Sequence, residues 1–198
     1  SPQEIIPHLK LYINNHPKDI KGYLYIGNLY FSIDQYLDAM HYYHRLLLIN
    51  PNHIETNLNL ARCLIHFNDY SKAITRLNII DNDDLDNFYS KYYLGYCLYQ
   101  LNDYRGAINE LTQALLLNSK DADTYYYLGR SYLMLDKKKQ ALESLIMSIK
   151  FNPYNGNAHF KLGKIYESVL KINLALEEYR LADKYIDNHD LNYTYGIL

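Results

Sequence analysis

Small and apolar positions return along this chain at one fixed step of 34 residues. Ile26-Gly27 comes back as Leu60-Ala61, Leu94-Gly95, Leu128-Gly129 and Leu162-Gly163, and a lone alanine keeps the same step at Ala39, Ala73, Ala107, Ala141 and Ala175. Large apolar or tyrosine residues do the same at Tyr30, Leu64, Leu98, Tyr132 and Tyr166, and again at Tyr43, Leu77, Leu111, Leu145 and Tyr179, while prolines stand at Pro17, Pro51 and Pro153. A period in this range marks stacked supersecondary units, each of which buries its apolar face only against its neighbours. Inside a unit the apolar residues fall three and four apart, as in Tyr23, Ile26, Gly27 and Tyr30 and then Ala39, Tyr43 and Leu46, which predicts two amphipathic helices per unit. The small residues mark where paired helix backbones approach closely.

Turn chemistry separates the helices. Asn68-Asp69-Tyr70 and Asn102-Asp103-Tyr104 repeat one triplet, with Asp34-Gln35-Tyr36 in the equivalent place. Asn and Asp tolerate a left-handed backbone and cap a following helix. Asn50-Pro51 and Asn152-Pro153 stop the second helix, because proline disfavours helical geometry in the residue before it. Full units are read at 20–53, 54–87, 88–121, 122–155 and 156–189. Ile5, Leu9, Tyr12 and Pro17 stand one step before Ala39, Tyr43, Leu46 and Pro51, so residues 1–19 read as the second helix of a partial unit. Residues 190–198 read as the start of a further helix whose Tyr193, Tyr195, Ile197 and Leu198 are too apolar for a terminal cap, which suggests a fragment of a longer chain.

These columns resemble the tetratricopeptide repeat: a large residue, Leu-Gly, Tyr, Ala, a second large residue and a closing Pro in 34 residues. The resemblance implies an all-α fold, a right-handed α-solenoid (superhelix) of antiparallel helix pairs, with residues 1–198 forming a single array. Asn57 and Lys91 depart from the pattern where a large apolar residue is usual, and Lys138 and Ile172 interrupt the tyrosine column of the inner turns. In this family the first helices line a concave face that holds a peptide. Carried onto this sequence, that face presents Asn28, then Asn59 and Arg62, then Tyr89, Tyr92, Tyr93, Tyr96 and Tyr99, then Tyr126, Tyr127 and Arg130, and finally Lys161 and Lys164. The tyrosines offer rigid apolar area with a polar tip, and the flanking Arg62, Arg130, Lys161 and Lys164 make the groove locally basic. An acidic or carboxylate-bearing peptide with apolar anchors is the expected ligand. The family's clamp for chaperone C-termini is matched at Asn28 and Asn59, which are expected to bond a peptide backbone. Its cationic places hold Leu24, Tyr89 and Tyr93, so chaperone-tail binding is rejected.

Composition narrows the alternatives. A net charge of -2 over 198 residues provides no field to gather nucleic acid. No run of 18 or more apolar residues is present, and Ser1 to Lys10 lacks the charged start and apolar run of a secretory leader, so a cytoplasmic protein without direct membrane insertion is expected. Cys63 and Cys97 are themselves one step apart, which reads as a small helix-packing position rather than a disulfide, and a reducing compartment agrees with that. His41 and His44 lack a third ligand, and the run Asp81, Asp83, Asp84 and Asp86 is interrupted by Leu85 and has neither the glycine nor the closing glutamate of a calcium loop. Lys137-Lys138-Lys139 is a short exposed turn. Neither a phosphate loop nor a nucleophile turn is found. No enzyme, cofactor or metal is expected. The reading is a non-catalytic adaptor for protein–protein interaction, with two alternatives: a structural spacer or oligomerisation arm that self-associates through the array ends, or the targeting module of a larger enzyme.

Overall fold

The computed structural model describes the backbone of residues 2–83 and 87–186 and the side chains of residues 4–80 and 87–186. The side chains of Asp81, Asp83, Asp84 and Asp86, and the segment Asp190 to Leu198, lie outside the described residues. Among the described residues the chain is all helical: α1 (Pro2–Asn15), α2 (Ile20–Ser32), α3 (Tyr36–Ile49), α4 (Ile54–His66), α5 (Tyr70–Asp83), α6 (Phe88–Gln100), α7 (Tyr104–Leu117), α8 (Ala122–Met134), α9 (Lys138–Phe151), α10 (Gly156–Ser168) and α11 (Ile172–Tyr185). The 34-residue step survives intact, because α2, α4, α6, α8 and α10 are the first helices of the five full units and α3, α5, α7, α9 and α11 the second. Helix α1 falls where the second helix of a preceding unit belongs, as the register of Ile5, Leu9 and Tyr12 predicts. None of the described helices is long and apolar enough to cross a membrane.

The chain divides into two compact units, one ending at Leu101 and the other beginning at Asn102. In the first, each helix from α1 to α6 packs on the next, and the first helices also touch one another, α2 on α4 and α4 on α6. In the second, α7 packs on α8, α8 on α9, α9 on α10 and α10 on α11. The core of the first unit is built from the repeating columns: Ile26, Ala39, Tyr43, Leu46, Leu60, Ala61, Ala73 and Leu77 are all fully buried. Ala141, Leu145 and Ala158 do the same in the second. Burying side chains of this size contributes about 1.5–3 kcal/mol each.

The glycine column is explained by close approach. A Cβ on Gly27 would lie 2.5 Å from the Tyr43 ring, and one on Gly163 would lie 2.6 Å from the Tyr179 ring. Ala61 stands at the same place in the unit whose opposing residue is Leu77 rather than a tyrosine. Cys63 and Cys97 are buried free thiols, and burial pushes both up to about 12, so they pack as small apolar groups.

Every first helix of a full unit carries a side-chain N-cap. Asp19 accepts from the Lys21 amide, His53 from Thr56, Asn87 from Ser90, Asp121 from Thr124 and Asn155 from Ala158. Each such cap stabilises its helix by about 1 kcal/mol. Between the paired helices one residue takes a left-handed backbone: Asp34 (φ 59°), Asn68 (58°), Asn102 (64°), Asp136 (55°) and Leu170 (58°). In the first three turns the tyrosine two residues on donates its hydroxyl to that side chain at 2.6 Å, from Tyr36 to Asp34, from Tyr70 to Asn68 and from Tyr104 to Asn102. Lys138 and Ile172 remove that bond from the last two turns, and Leu170 also gives up the tolerant residue type. A leucine at positive φ is strained, and Leu170 is 84% exposed, so its side chain offsets little of the strain by burial. Leu170→Asn is therefore expected to raise stability by about 1 kcal/mol, read as the urea midpoint of the full chain.

Asn57, an apparent departure in the sequence, proves to have a structural task. It is buried and donates Nδ2 to the Pro51 carbonyl at 2.9 Å. The equivalent Tyr23 hydroxyl donates to the Pro17 carbonyl at 3.2 Å, and the equivalent His159 places Nε2 3.0 Å from the Pro153 carbonyl. The place is an anchoring position for the proline turn, filled by any side chain that brings a donor.

Candidate functional site

In the first unit the expected amides meet across two helices. Asn59 on α4 donates Nδ2 to Asn28 Oδ1 on α2 at 3.0 Å, and Tyr43 on α3 donates its hydroxyl to the same oxygen at 2.8 Å. Asn28 Nδ2 donates to Glu55 Oε1 at 3.0 Å, and Arg62 NH1 donates to Asn59 Oδ1 at 3.2 Å. The Arg62 guanidinium lies 4.5 Å from the Phe31 ring centroid. Burial pushes the Tyr43 phenol well above its usual range, which keeps it a neutral donor. Both amide oxygens are thus occupied within the protein. Asn28 and Asn59 brace neighbouring first helices, and only the remaining amide hydrogens stay available for a foreign backbone. Glu55 and Tyr43 complete this network; the register already puts Glu55 on the same face as Asn28, but Tyr43 and the bonds themselves needed coordinates.

The tyrosines of α6 divide by depth. Tyr89 is 57% exposed, whereas Tyr92, Tyr93, Tyr96 and Tyr99 are half-buried. Tyr92 stacks on Phe88 with centroids 6.1 Å apart and planes at 15°, and meets Tyr93 edge-on at 5.1 Å. Tyr93 and Tyr96 pack against the core of the first unit, with Tyr96 edge-on to Tyr70 at 6.1 Å. The stripe is therefore part core and part surface. A helix of 3.6 residues per turn spreads five such rings over a wide arc, and its edges turn into the protein.

In the second unit Tyr126 departs from the expectation of a groove-lining ring. It is only 9% exposed and belongs to the core with Ala141, Leu145, Ala158 and Ile165. Arg130, one turn further along α8, sits over it at 5.3 Å and over the half-buried Tyr127 at 5.4 Å, which orients the guanidinium between two aromatic faces. On α10, Lys161 is half-buried with its Nζ 5.8 Å from the Phe160 ring. Burial, then Arg130 and Lys164, lower its ammonium from the usual lysine range. Lys164 is exposed and paired with Glu167 at 3.2 Å, and Glu167 also accepts the Tyr179 hydroxyl at 2.7 Å. Those hydrogen bonds, Tyr179 first, hold the Glu167 carboxyl below its usual range. A hollow of about 380 Å³ opens beside Phe160, Lys164, Glu167 and Tyr179. Among the described residues, no group of three His, Cys, Asp or Glu side chains converges as a metal site.

Two family models match the chain. One, tetratricopeptide repeat, covers residues 32–93, and the other, anaphase-promoting complex, cyclosome, subunit 3, covers residues 82–148. The tetratricopeptide repeat model thus matches the part of the chain from α2 to α6. The array is similar in fold to the crystal structure of MamA, with 25% identity and a TM-score of 0.74 over 86% of this chain and 98% of that one. MamA 41-end from Desulfovibrio magneticus RS-1 aligns at 20% identity and a TM-score of 0.77, over 84% and 94% of the two chains. YrrB, described as a TPR protein with an unusual peptide-binding site, aligns at 19% identity and a TM-score of 0.74, over 96% and 98%. A comparison with curated proteins finds no match. The helices of this chain and the fold of these solved structures agree with the α-solenoid of antiparallel helix pairs that the resemblance implies.

Proposed function

We propose that this tetratricopeptide array is a non-catalytic adaptor that holds a peptide segment of a partner protein against the face formed by its first helices. The observation that carries the reading is the aromatic shelf on α6, where an exposed Tyr89 adjoins Tyr92 stacked on Phe88. Pre-ordered rings of this kind supply contact area with little entropy left to lose on binding. The peptide-binding site attributed to YrrB, on the same fold, supports the same use of the scaffold. The partner expected is a protein or peptide carrying acidic groups beside apolar anchors, the apolar part for the shelf and the acidic part for Arg62 on α4 of the same unit.

The double variant Tyr89→Ala/Tyr92→Ala tests this reading more cleanly than one that includes Tyr96, whose ring is tied to the core. Proteins captured by the wild-type chain are identified and titrated against both forms. The variant is expected to keep its helical circular dichroism and bind its partner at least tenfold more weakly, in line with the cost of losing aromatic anchors. Equal affinity would discard the groove.

A self-associating arm is the second reading. Val169, Leu170, Ile172 and Leu176 are each at least half exposed around the last turn and α11, an apolar cluster suited to contact between copies. A mass that stays at one chain across a wide concentration range in light scattering removes it.

A further inference from the structure

A second hollow lies among the other helices of the first unit. It measures about 340 Å³ and opens between α1 and α3, both second helices, so it is separate from the aromatic shelf on α6. Ile13 and Tyr23, both buried, form its floor, and Pro17 in the turn before α2 closes one end. Lys10 and Asn14 line it from α1, and His41, Tyr42 and Arg45 line it from α3; none of the lining residues is acidic.

Packing of the repeat does not call for cations at these places. Four repeats later Ile146 and Leu181 stand where Lys10 and Arg45 do, and Glu177 and Glu178 stand where His41 and Tyr42 do. The acid is built in there, because Glu178 meets His159, the equivalent of Tyr23, at 2.6 Å. Between α1 and α3 the sign is reversed. The Arg45 guanidinium rests 5.9 Å from the Tyr23 ring centroid and Lys10 Nζ lies 5.7 Å from that of Tyr30, so aromatic faces orient both cations at the rim. Arg45 makes no ion pair among the described residues. Hydrogen bonding to Tyr30, then Tyr42, raises the Lys10 ammonium above its usual range, and the exposed Asp38 on α3 is the weakest of the influences on it.

We propose that this hollow binds a phosphomonoester, with Lys10 and Arg45 neutralising its charge, Asn14 and His41 donating to its oxygens, and Ile13, Tyr23 and Pro17 receiving the apolar body that carries it. A phosphate monoester brings a charge of about −1.5 to −2 and three strong acceptor oxygens, which match two cations and two neutral donors. A carboxylate brings one charge and two oxygens and leaves one cation unanswered. The planar guanidinium engages two oxygens at once, and the ammonium serves as a point charge on the third. A recess of this volume suits a small organic phosphate rather than a flat anionic surface. The assignment stands apart from the peptide site on the first helices.

The test titrates phenyl phosphate into the isotope-labelled full chain and follows amide shifts, with benzoate and benzenesulfonate as comparisons of single charge. Shifts are expected in α1, the Pro17 turn and α3, and both comparisons should bind about tenfold more weakly or worse. Lys10→Gln and Arg45→Gln should each cost about tenfold or more in affinity, while Arg76→Gln on the neighbouring α5 stays within about twofold. Arg45→Gln is expected to melt with the wild type, and Lys10→Arg to retain binding, so that the losses report charge and not folding. Adenosine monophosphate and an amidated phosphotyrosine tripeptide distinguish the source of the group: tighter binding of the nucleotide assigns a free metabolite, tighter binding of the tripeptide a phosphorylated partner. Unchanged affinity in Lys10→Gln and Arg45→Gln, benzenesulfonate binding equal to phenyl phosphate, or shifts scattered over surface lysines overturns the proposal. So does recruitment to phosphatidylserine vesicles through Lys10 and Arg45 without phenyl phosphate binding, which makes the face a membrane contact. Tyr89→Ala/Tyr92→Ala should bind phenyl phosphate as the wild type does, so failure of the shelf and failure of the hollow are read separately.

Discussion

Tyr43→Ala is expected to remove about 3–5 kcal/mol of stability, as truncation of a buried aromatic ring usually does. The ring is fully buried on α3 and packs over Gly27, whose missing side chain leaves nothing on that wall able to fill the space. Its hydroxyl also donates to Asn28, which in turn receives Asn59 and donates to Glu55. Loss of the ring therefore opens a cavity and loosens the bracing between α2 and α4 at once. Tyr43→Phe isolates the second effect, because it keeps the ring and withdraws one donor, at about 1 kcal/mol. Urea titration followed by circular dichroism gives the totals. In a repeat array the loss need not spread evenly, so hydrogen exchange should show the largest drop in protection in α2 and α3. An alanine variant as stable as the wild type would mean that the helix pair does not close on this ring.

The second large effect is expected at His159, buried to 4% exposure on α10. A carbonyl oxygen only accepts, so Nε2 donates to the Pro153 carbonyl at 3.0 Å, while Nδ1 meets Glu178 Oε2 on α11 at 2.6 Å. His159→Leu keeps much of the volume but leaves the Pro153 carbonyl without its donor and Glu178 without its partner. Because the Glu178 side chain retains 18% exposure, water recovers part of the loss, and about 2–3 kcal/mol is expected rather than the upper range for a broken buried pair. His159→Leu/Glu178→Leu should recover more than half of it, since an apolar pair has nothing left unpaired. A double-mutant cycle on urea midpoints measures the coupling. Additive losses would show that the two side chains act independently.

The anchoring role of His159 could not be inferred from one residue. Tyr23, Asn57 and His159 share neither size nor charge, and from the sequence Asn57 looked like a defect in an apolar column. What they share is a donor that reaches the carbonyl of a proline six residues earlier, visible only when the turn and the helix are placed together. The same limit applied to the candidate site. Helical spacing put five tyrosines on one side of α6, but depth depends on what neighbouring helices cover, and this divides an exposed Tyr89 from Tyr93 and Tyr96 against the core.

Periodicity alone determined the positions of the helices and the columns of small residues, because stacked repeats demand the same packing solution every 34 residues and each violation is felt locally. Tertiary structure decided how the polar residues on that frame are used. Asn59 donates to Asn28, which also receives Tyr43, and Tyr126 joins the core. Hydrogen bonds and charges act over a few ångströms between residues far apart in the chain, so their partners are set by the approach of helices and not by spacing along one of them.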